Sequence, residues 1–330
     1  MPLHENQTIG RYAPSPTGYL HLGNLRTALL AWLQVRLASG RFILRMEDLD
    51  TPRVRPESEA SILADLHWLG LDWDEGPDCG GPQSPYNQSR RAEIYDYYLQ
   101  RLREAGRAFP CFCSRKDVLL ASSAPHGPDG PLYPGTCRNH LGLAVMPARG
   151  RDERRPAWRF LVNDRDVSFT DQLLGPQSQN LARDVGDFVI RRADDLFAYQ
   201  LAVVVDDALM GVTDVVRGSD LLASTARQIV LFDALGFAAP TYWHVPLMCD
   251  ASGARMAKRD GTFSVAQLRA QGQTAPQIIG GLAHSVGLID RNEPLTCRDL
   301  LDGLTLPEFT ARLKNRTKGG SHESSGKESR

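Results

Sequence analysis

Two hydrophobic periods alternate along the first third of the chain. Residues 41–48, Arg-Phe-Ile-Leu-Arg-Met-Glu-Asp, set Phe42, Leu44 and Met46 against Ile43, Arg45 and Glu47. That alternation predicts a strand whose polar end carries Glu47 and Asp48. The apolar run Leu25–Leu37 predicts a helix. Residues 56–69 place Ile62, Leu63, Leu66 and Leu69 on one helical face, and Gly70 stops them. Residues 89–105 predict a third helix, closed by Gly106. Strands alternating with helices point to a parallel sheet with both faces covered.

The pattern changes after Phe109. Residues 121–136 are rich in Pro, Gly and Ser and predict loop, and 149–156 form a charged connector. Residues 157–162 and 167–170 then predict a short β pair, and 187–192 a strand. Residues 198–209 are an apolar run interrupted by Asp206 and Asp207. A strand over 212–217, an amphipathic helix over 220–235 ended by Gly236, and a strand over 243–248 follow. Short helices are expected from Ser264, and the Gly/Ser/charge-rich end from Lys314 is expected to be a disordered, solvated tail. No internal repeat is present.

Composition narrows the class. With 330 residues, 42% hydrophobic and 23% charged, the chain suits a soluble protein of about two domains. A net charge of −1 offers no bulk field for nucleic acid, so any RNA contact must be local. No segment approaches a membrane span, and Met1–Gln7 has no apolar signal core. The expectation is a cytoplasmic protein.

The most informative stretch is Arg11-Tyr12-Ala13-Pro14-Ser15-Pro16-Thr17-Gly18-Tyr19-Leu20-His21-Leu22-Gly23-Asn24. It reads as a strand, a Pro/Gly turn and a helix start. Helix N-termini offer unpaired N–H groups and partial positive charge, which suit a phosphate. Gly23 allows a base or phosphate close to the backbone. His21 can stabilise charge on a phosphoryl group. A lone His-x-Gly is a weak signal. The whole string resembles the HIGH signature of class I aminoacyl-tRNA synthetases, and more narrowly the opening of glutamyl-tRNA synthetases.

A second element lies at Ala254-Arg255-Met256-Ala257-Lys258-Arg259-Asp260-Gly261. By charge pattern alone it reads as a solvated basic face. Its position resembles that of the family's KMSKS loop, which closes over a triphosphate. Arg255 stands where the first Lys is common and Ala257 where Ser is common, while Lys258 matches the second Lys, the ATP-phosphate contact. The resemblance implies His21 and Lys258 as catalytic residues, and His21, Gly23, Asn24 and Lys258 as ATP-binding. It further implies a glutamate pocket built from Arg11, Tyr12, Ala13, Pro14, Ser15, Glu47, Tyr199 and Arg217. Arginine forks suit carboxylates, and Glu47 suits the α-ammonium. Singly, Glu47 could equally pair with Arg45 or Arg53 at the surface, and Tyr199 could be core.

Six cysteines are too sparse for a disulfide framework. Cys111-Phe112-Cys113 and the later Cys137 offer three corners of a tetrahedral zinc site. The resemblance favours Tyr133 as the fourth ligand; general zinc chemistry favours His140. Such a zinc would brace the insertion and take no part in catalysis. Cys79, Cys249 and Cys297 have no partner at ligand spacing and are expected to be buried small hydrophobes.

The resemblance implies an α/β fold: a Rossmann-like class I catalytic domain, a zinc-bearing insertion and a small helical C-terminal region. The divisions are 1–108, 109–155, 156–250, 251–313 and the tail 314–330. The stretch after the basic loop is too short for the anticodon-binding domain of full-length members. The resemblance is therefore to the truncated glutamyl-queuosine tRNA(Asp) synthetases. It implies glutamate activation by ATP with Mg²⁺, without tRNA, and transfer to queuosine in the tRNA(Asp) anticodon loop by a monomer. A short synthetase esterifying a tRNA 3′ end, or a non-catalytic zinc-bearing RNA adaptor, remain alternatives.

Overall fold

The computed structural model describes residues 7–114, 116–118, 132–138, 155–248 and 264–319. The basic loop with Lys258, together with His140 and Cys249, lies outside the described residues.

A four-stranded parallel sheet forms the frame, in the order β2-β1-β8-β9. Its strands are β1 (Ile9–Tyr12), β2 (Arg41–Leu44), β8 (Asp214–Gly218) and β9 (Thr241–Val245). Helix α1 (Leu22–Leu37) links β1 to β2 and is buried along most of its length. Burial on nearly all sides removes the amphipathic stripe a surface helix would show. On one side α1 meets the sheet. Gly10 of β1 has no Cβ, and one placed there would collide with Val35 Cγ2 of α1. On the other side Leu25, Leu29 and Leu33 share a core with Ile278, Leu282, Leu300 and Phe309 of the C-terminal helices. Those helices are α6 (Val265–Ala270), α7 (Ala275–Ser285), α8 (Cys297–Gly303) and α9 (Leu306–Gly319). Capping boxes open α6, α7 and α8 at Ser264, Thr274 and Thr296.

A second core unites α3 (Ala92–Glu104), α4 (Tyr199–Leu209) and α5 (Thr225–Leu235) with an antiparallel sheet. That sheet has the order β3-β4-β7, from β3 (Ala108–Cys111), β4 (Ala157–Phe160) and β7 (Phe188–Arg191). Helix α2 is Pro56–Trp68. A separate hairpin joins β5 (Asp166–Asp171) and β6 (Gly175–Asn180).

Several expectations need correction. Residues 157–162 and 167–170 do not pair with each other: β4 lies between β3 and β7, and β5 pairs with β6. Strand β6, Gly-Pro-Gln-Ser-Gln-Asn, has no apolar alternation, because a half-exposed hairpin needs none. Strand β2 stops at Leu44 rather than Asp48, and β9 at Val245 rather than Met248. Helix α1 begins at Leu22, so Gly23 and Asn24 lie inside its first turn. Residues 219–224 form a 3₁₀ segment ahead of α5. Cys79 is exposed, whereas Cys297 is buried as expected.

Candidate active site

Strands β2 and β8 flank β1 on opposite sides, so the chain's course reverses at β1. Parallel sheets bind ligands at the carboxyl ends of their strands where this happens. A cavity of about 640 Å³ lies at that point. It is lined by Arg11, Tyr12, Ala13, Pro14, Ser15, His21, Gly23, Asn24, Glu47, Tyr199 and Arg217. The structure thus brings together every site residue read from the sequence except Lys258 and the cysteine cluster.

The α1 N-terminus is built by His21. Its Nδ1 caps the helix by accepting from the Asn24 backbone N–H at 3.3 Å. In a neutral ring this places the proton on Nε2. Gly23 lies under the ring: a Cβ there would sit 3.0 Å from His21 Cε1. Met248 and Ser264, which are 16 residues apart in the sequence, both lie at this turn. Met248 lines the cavity, and Ser264 forms an isolated bridge with His21.

Beneath the cavity lies a buried charge network. Arg11 Nε donates to Asp207 Oδ1 at 3.2 Å. Arg45 Nη1 donates to the same oxygen at 2.7 Å, and its Nη2 to Glu47 Oε1 at 3.3 Å. Asp206 takes Arg91 Nε at 2.7 Å, Gln88 Nε2 at 2.8 Å and the Tyr95 hydroxyl at 2.9 Å. Glu47 does pair with Arg45, as its alternative reading allowed, but in the interior and against the cavity. Burial raises the Glu47 carboxyl above its ordinary range, against the pull of Arg45 and Arg11. Burial also pushes Asp207 up, but Arg11 and Arg45 outweigh it and hold the carboxyl low. Burial raises the Tyr199 phenol.

Arg217 is held from behind. Its Nε donates to His244 Nε2 at 3.1 Å, Nη1 to Gln228 Oε1 at 2.6 Å and Nη2 to Thr225 Oγ1 at 2.9 Å. The sequence pattern assigned no role to Asp207, His244, Gln228 or Thr225, and gave Arg45 only as a surface partner of Glu47. Asp207 carried a usable signal, since a carboxylate inside an apolar helical run requires a buried partner.

A second cavity, of about 1100 Å³, shares Ser15, Glu47, Asp50 and Tyr199 with the first. It extends to Cys113, Arg159, Arg192 and Phe197. The cysteine cluster lies beside it. The sulfurs of Cys111, Cys113 and Cys137 all lie within 4.8 Å of one another. Cys113 and Cys137 Sγ are 3.7 Å apart, close to the roughly 3.8 Å edge of a tetrahedron with Zn–S bonds near 2.3 Å. The Tyr133 hydroxyl is 3.5 Å from Cys111 Sγ and 3.9 Å from Cys113 Sγ. It accepts the Cys137 backbone N–H at 2.6 Å, and the Arg159 guanidinium covers the Tyr133 ring at 3.9 Å. Burial and the neighbouring sulfurs push the Cys113 thiol up to about 12. Three sulfurs crowded in this way suit a cation, so the cluster could hold a metal.

A parallel sheet with a His-x-Gly helix start at its reversal point defines a class I synthetase-type enzyme. The family "tRNA synthetases class I (E and Q), catalytic domain" matches residues 7–289, and the chain belongs to it. It is 53% identical over 313 residues to a Glutamyl-Q tRNA(Asp) synthetase of Symbiobacterium thermophilum, covering 93% of this chain and 96% of that one. It is 48% identical to Glutamate--tRNA ligase 1 of Halorhodospira halophila, covering 85% of this chain but 59% of that protein. Among solved structures it resembles a glutamate tRNA ligase from Elizabethkingia meningosepticum in complex with its amino acid. The TM-score is 0.76 at 27% identity, covering 97% of this chain and 70% of that one. Among the described residues, no helix is long and apolar enough to cross a membrane.

Proposed function

We propose that this enzyme activates glutamate with ATP, without tRNA, and transfers the glutamyl group to queuosine in the tRNA(Asp) anticodon. One observation carries the reading: Arg11, Glu47, Tyr199 and Arg217 line the same cavity as the His21 helix start. Two guanidinium groups, a carboxylate and a phenol are the complement of an amino acid with two carboxylates and one ammonium. The helix start beside them is the complement of a phosphate. The near-complete coverage of the Glutamyl-Q tRNA(Asp) synthetase relative supports the choice of acceptor.

In the first step the glutamate α-carboxylate attacks the α-phosphorus of ATP. An O–P bond forms to carbon-bound oxygen, the α–β bridging P–O bond breaks, and pyrophosphate leaves. Arg11, Glu47 and Arg217 orient the amino acid, which supplies much of the rate enhancement. An ammonium beside Glu47 would favour its ionised form, in the same sense as Arg45 and Arg11 and against burial. The α1 N-terminus and His21 face the phosphates, and Lys258 adds charge from the segment between Met248 and Ser264. Mg²⁺ bound with ATP would neutralise phosphate charge.

In the second step a hydroxyl of the modified base attacks the mixed-anhydride carbonyl, releasing AMP and a proton. The second cavity gives an unpaired base a route to this carbonyl, past Phe197 and Arg192. Cys111, Cys113, Cys137 and Tyr133 would hold a zinc ion that braces the cavity's far wall, with no part in either step.

The test is glutamate-dependent ATP–pyrophosphate exchange in the absence of tRNA, followed by location of labelled glutamate on tRNA(Asp). Exchange is expected, with Lys258→Ala lowering it about 10²-fold or more. Acceptance should survive removal of the 3′-terminal adenosine and vanish in transcripts without queuosine. No exchange by folded protein rejects the enzyme reading. Loss on trimming with retention in unmodified transcripts transfers the assignment to a short glutamyl-tRNA synthetase.

A further inference from the structure

Arg217 and His244 occupy paired positions on adjacent parallel strands β8 and β9. Behind His244 stands Asp171, the last residue of β5, whose hairpin docks on β9 through Gln172 N–H donating to Tyr242 O at 2.9 Å. His244 and the Asp171 carboxylate are fully buried. Asp171 Oδ2 is 2.6 Å from His244 Nδ1 and accepts the His244 backbone N–H at 3.1 Å. Its Oδ1 accepts from the Leu173 and Leu174 backbones at 3.0 and 2.9 Å. A carboxylate receiving this many donors stays ionised and can only accept. The proton therefore sits on His244 Nδ1, and Nε2 presents a lone pair.

That lone pair receives Arg217 Nε–H at 3.1 Å. Gln228 and Thr225 take one N–H from each terminal nitrogen. A guanidinium has five N–H groups, so one remains on each terminal nitrogen for the cavity. The three groups holding Arg217 are all uncharged, unlike Arg11, which is ion-paired to Asp207. The groups packed around His244 are Asp171, Arg217, Thr225 and the Tyr242 ring, with the charge of Asp220 farther off.

We infer that His244, fixed in its Nδ1–H tautomer by Asp171, is a positioning residue that turns Arg217 toward the side-chain carboxylate of the amino acid. Because its neutral ring adds no charge to offset that of Arg217, it also sets the preference for glutamate over glutamine. This rests on the glutamate reading above. A reversed tautomer would point Nε2–H at Arg217 Nε–H, two donors face to face, and the guanidinium would swing away.

The test compares glutamate- and glutamine-dependent ATP–pyrophosphate exchange in the wild type, His244→Asn, His244→Gln and Asp171→Asn. Asparagine can still donate toward Asp171 but is too short to accept from Arg217. Glutamine reaches Arg217 with its amide oxygen. His244→Asn should raise the glutamate KM about tenfold or more, the loss of one hydrogen bond to a charged group. Its kcat should stay within about threefold, as for uniform binding, and its glutamate-over-glutamine ratio should fall. Asp171→Asn, which touches no substrate, should do the same. His244→Gln should restore most of both. Nitrogen-15 NMR of the wild type needs no substitution and should find Nε2 unprotonated. Unchanged KM and selectivity in folded His244→Asn, equal losses in the Asn and Gln variants, or a protonated Nε2 overturn the inference. Failure of the wild type to exchange with glutamate rejects the underlying reading, and this inference with it.

Discussion

Arg45 donates from Nη1 to Asp207 Oδ1 at 2.7 Å, and both side chains are buried beneath the candidate active site. Arg45 follows the end of β2, and Asp207 projects from α4. The bond therefore ties the parallel sheet to the second core. Asp207 shares itself with Arg11, which lines the cavity, and Arg45 shares itself with Glu47, which does the same. One ion pair thus fixes two cavity side chains from opposite halves of the network.

Replacing Asp207 by Ala leaves Arg11 and Arg45 buried without their shared carboxylate. Removing one member of a buried pair costs about 3–5 kcal/mol. Urea unfolding of Asp207→Ala should report a loss in that range, and glutamate-dependent exchange should fall with it. A loss below about 1 kcal/mol would mean that Asp206 or water takes over the two cations.

The parts of this site that were legible in the sequence are those whose chemistry is local. The Arg11–Asn24 string announces a strand, a turn and a helix start because Pro, Gly and a cap are read from neighbours along the chain. Glu47 was visible as the polar end of an alternating strand. Asp207 signalled only that it needs a buried partner, and His244 and Asp171 not even that, because the partners lie 196 and 73 residues away. Nothing local marks a histidine in a strand as the acceptor for an arginine on the next one. The same blindness misassigned β4 and β5 to each other: alternation identifies a strand, but its partner is set by packing. The exposed Cys79 shows the converse limit, since thiol chemistry alone does not determine burial.

The cysteine cluster predicts one zinc per chain. Elemental analysis of freshly prepared protein should find it, and Cys113→Ser should lower both metal content and thermal stability, because structural zinc contributes folding energy. Tyr133→Phe and His140→Ala, assayed side by side, decide the fourth ligand. The Tyr133 hydroxyl, 3.5 Å from Cys111 Sγ, favours the larger effect for Tyr133→Phe. Metal-free protein that melts at the same temperature with and without chelator rejects the site.

Stability should decline on acidification through the Asp171–His244 pair. Burial pushes His244 below its ordinary value of 6.5, aided by the charge of Arg217 and opposed by Asp171. Burial raises Asp171, but the hydrogen bonds from His244, Leu174 and Leu173 hold it below 3.8. Both groups bind protons less readily folded than unfolded. Their contribution is fully present above about pH 6.5 and is lost as pH falls through each folded value. The His244 part has a slope of at most about 1.4 kcal/mol per pH unit. Unfolding free energies between pH 7.5 and 5.5 should therefore drop less for His244→Gln than for the wild type. Parallel curves would assign the acid sensitivity to other groups.

If the second cavity admits the acceptor, as proposed above, a residue confined to it should affect transfer and not activation, and Arg192 is such a residue. It lines the second cavity and not the first, and its side chain is partly exposed, paired with Asp194 at 2.6 Å and with Asp50, which lines both cavities, at 3.7 Å. Such pairs are weak and screened by solvent, so a phosphate of an incoming anticodon loop can displace the carboxylates. In Arg192→Ala, ATP–pyrophosphate exchange without tRNA should stay within about twofold, because the first cavity loses only the long, partly exposed contact of Asp50 with Arg192. Transfer to tRNA should weaken through the KM for tRNA, and the salt dependence of that KM should lose about one unit of logarithmic slope. A variant whose exchange falls as far as its transfer would place Arg192 in the activation site. An unchanged tRNA KM would move the entry of the acceptor away from the second cavity.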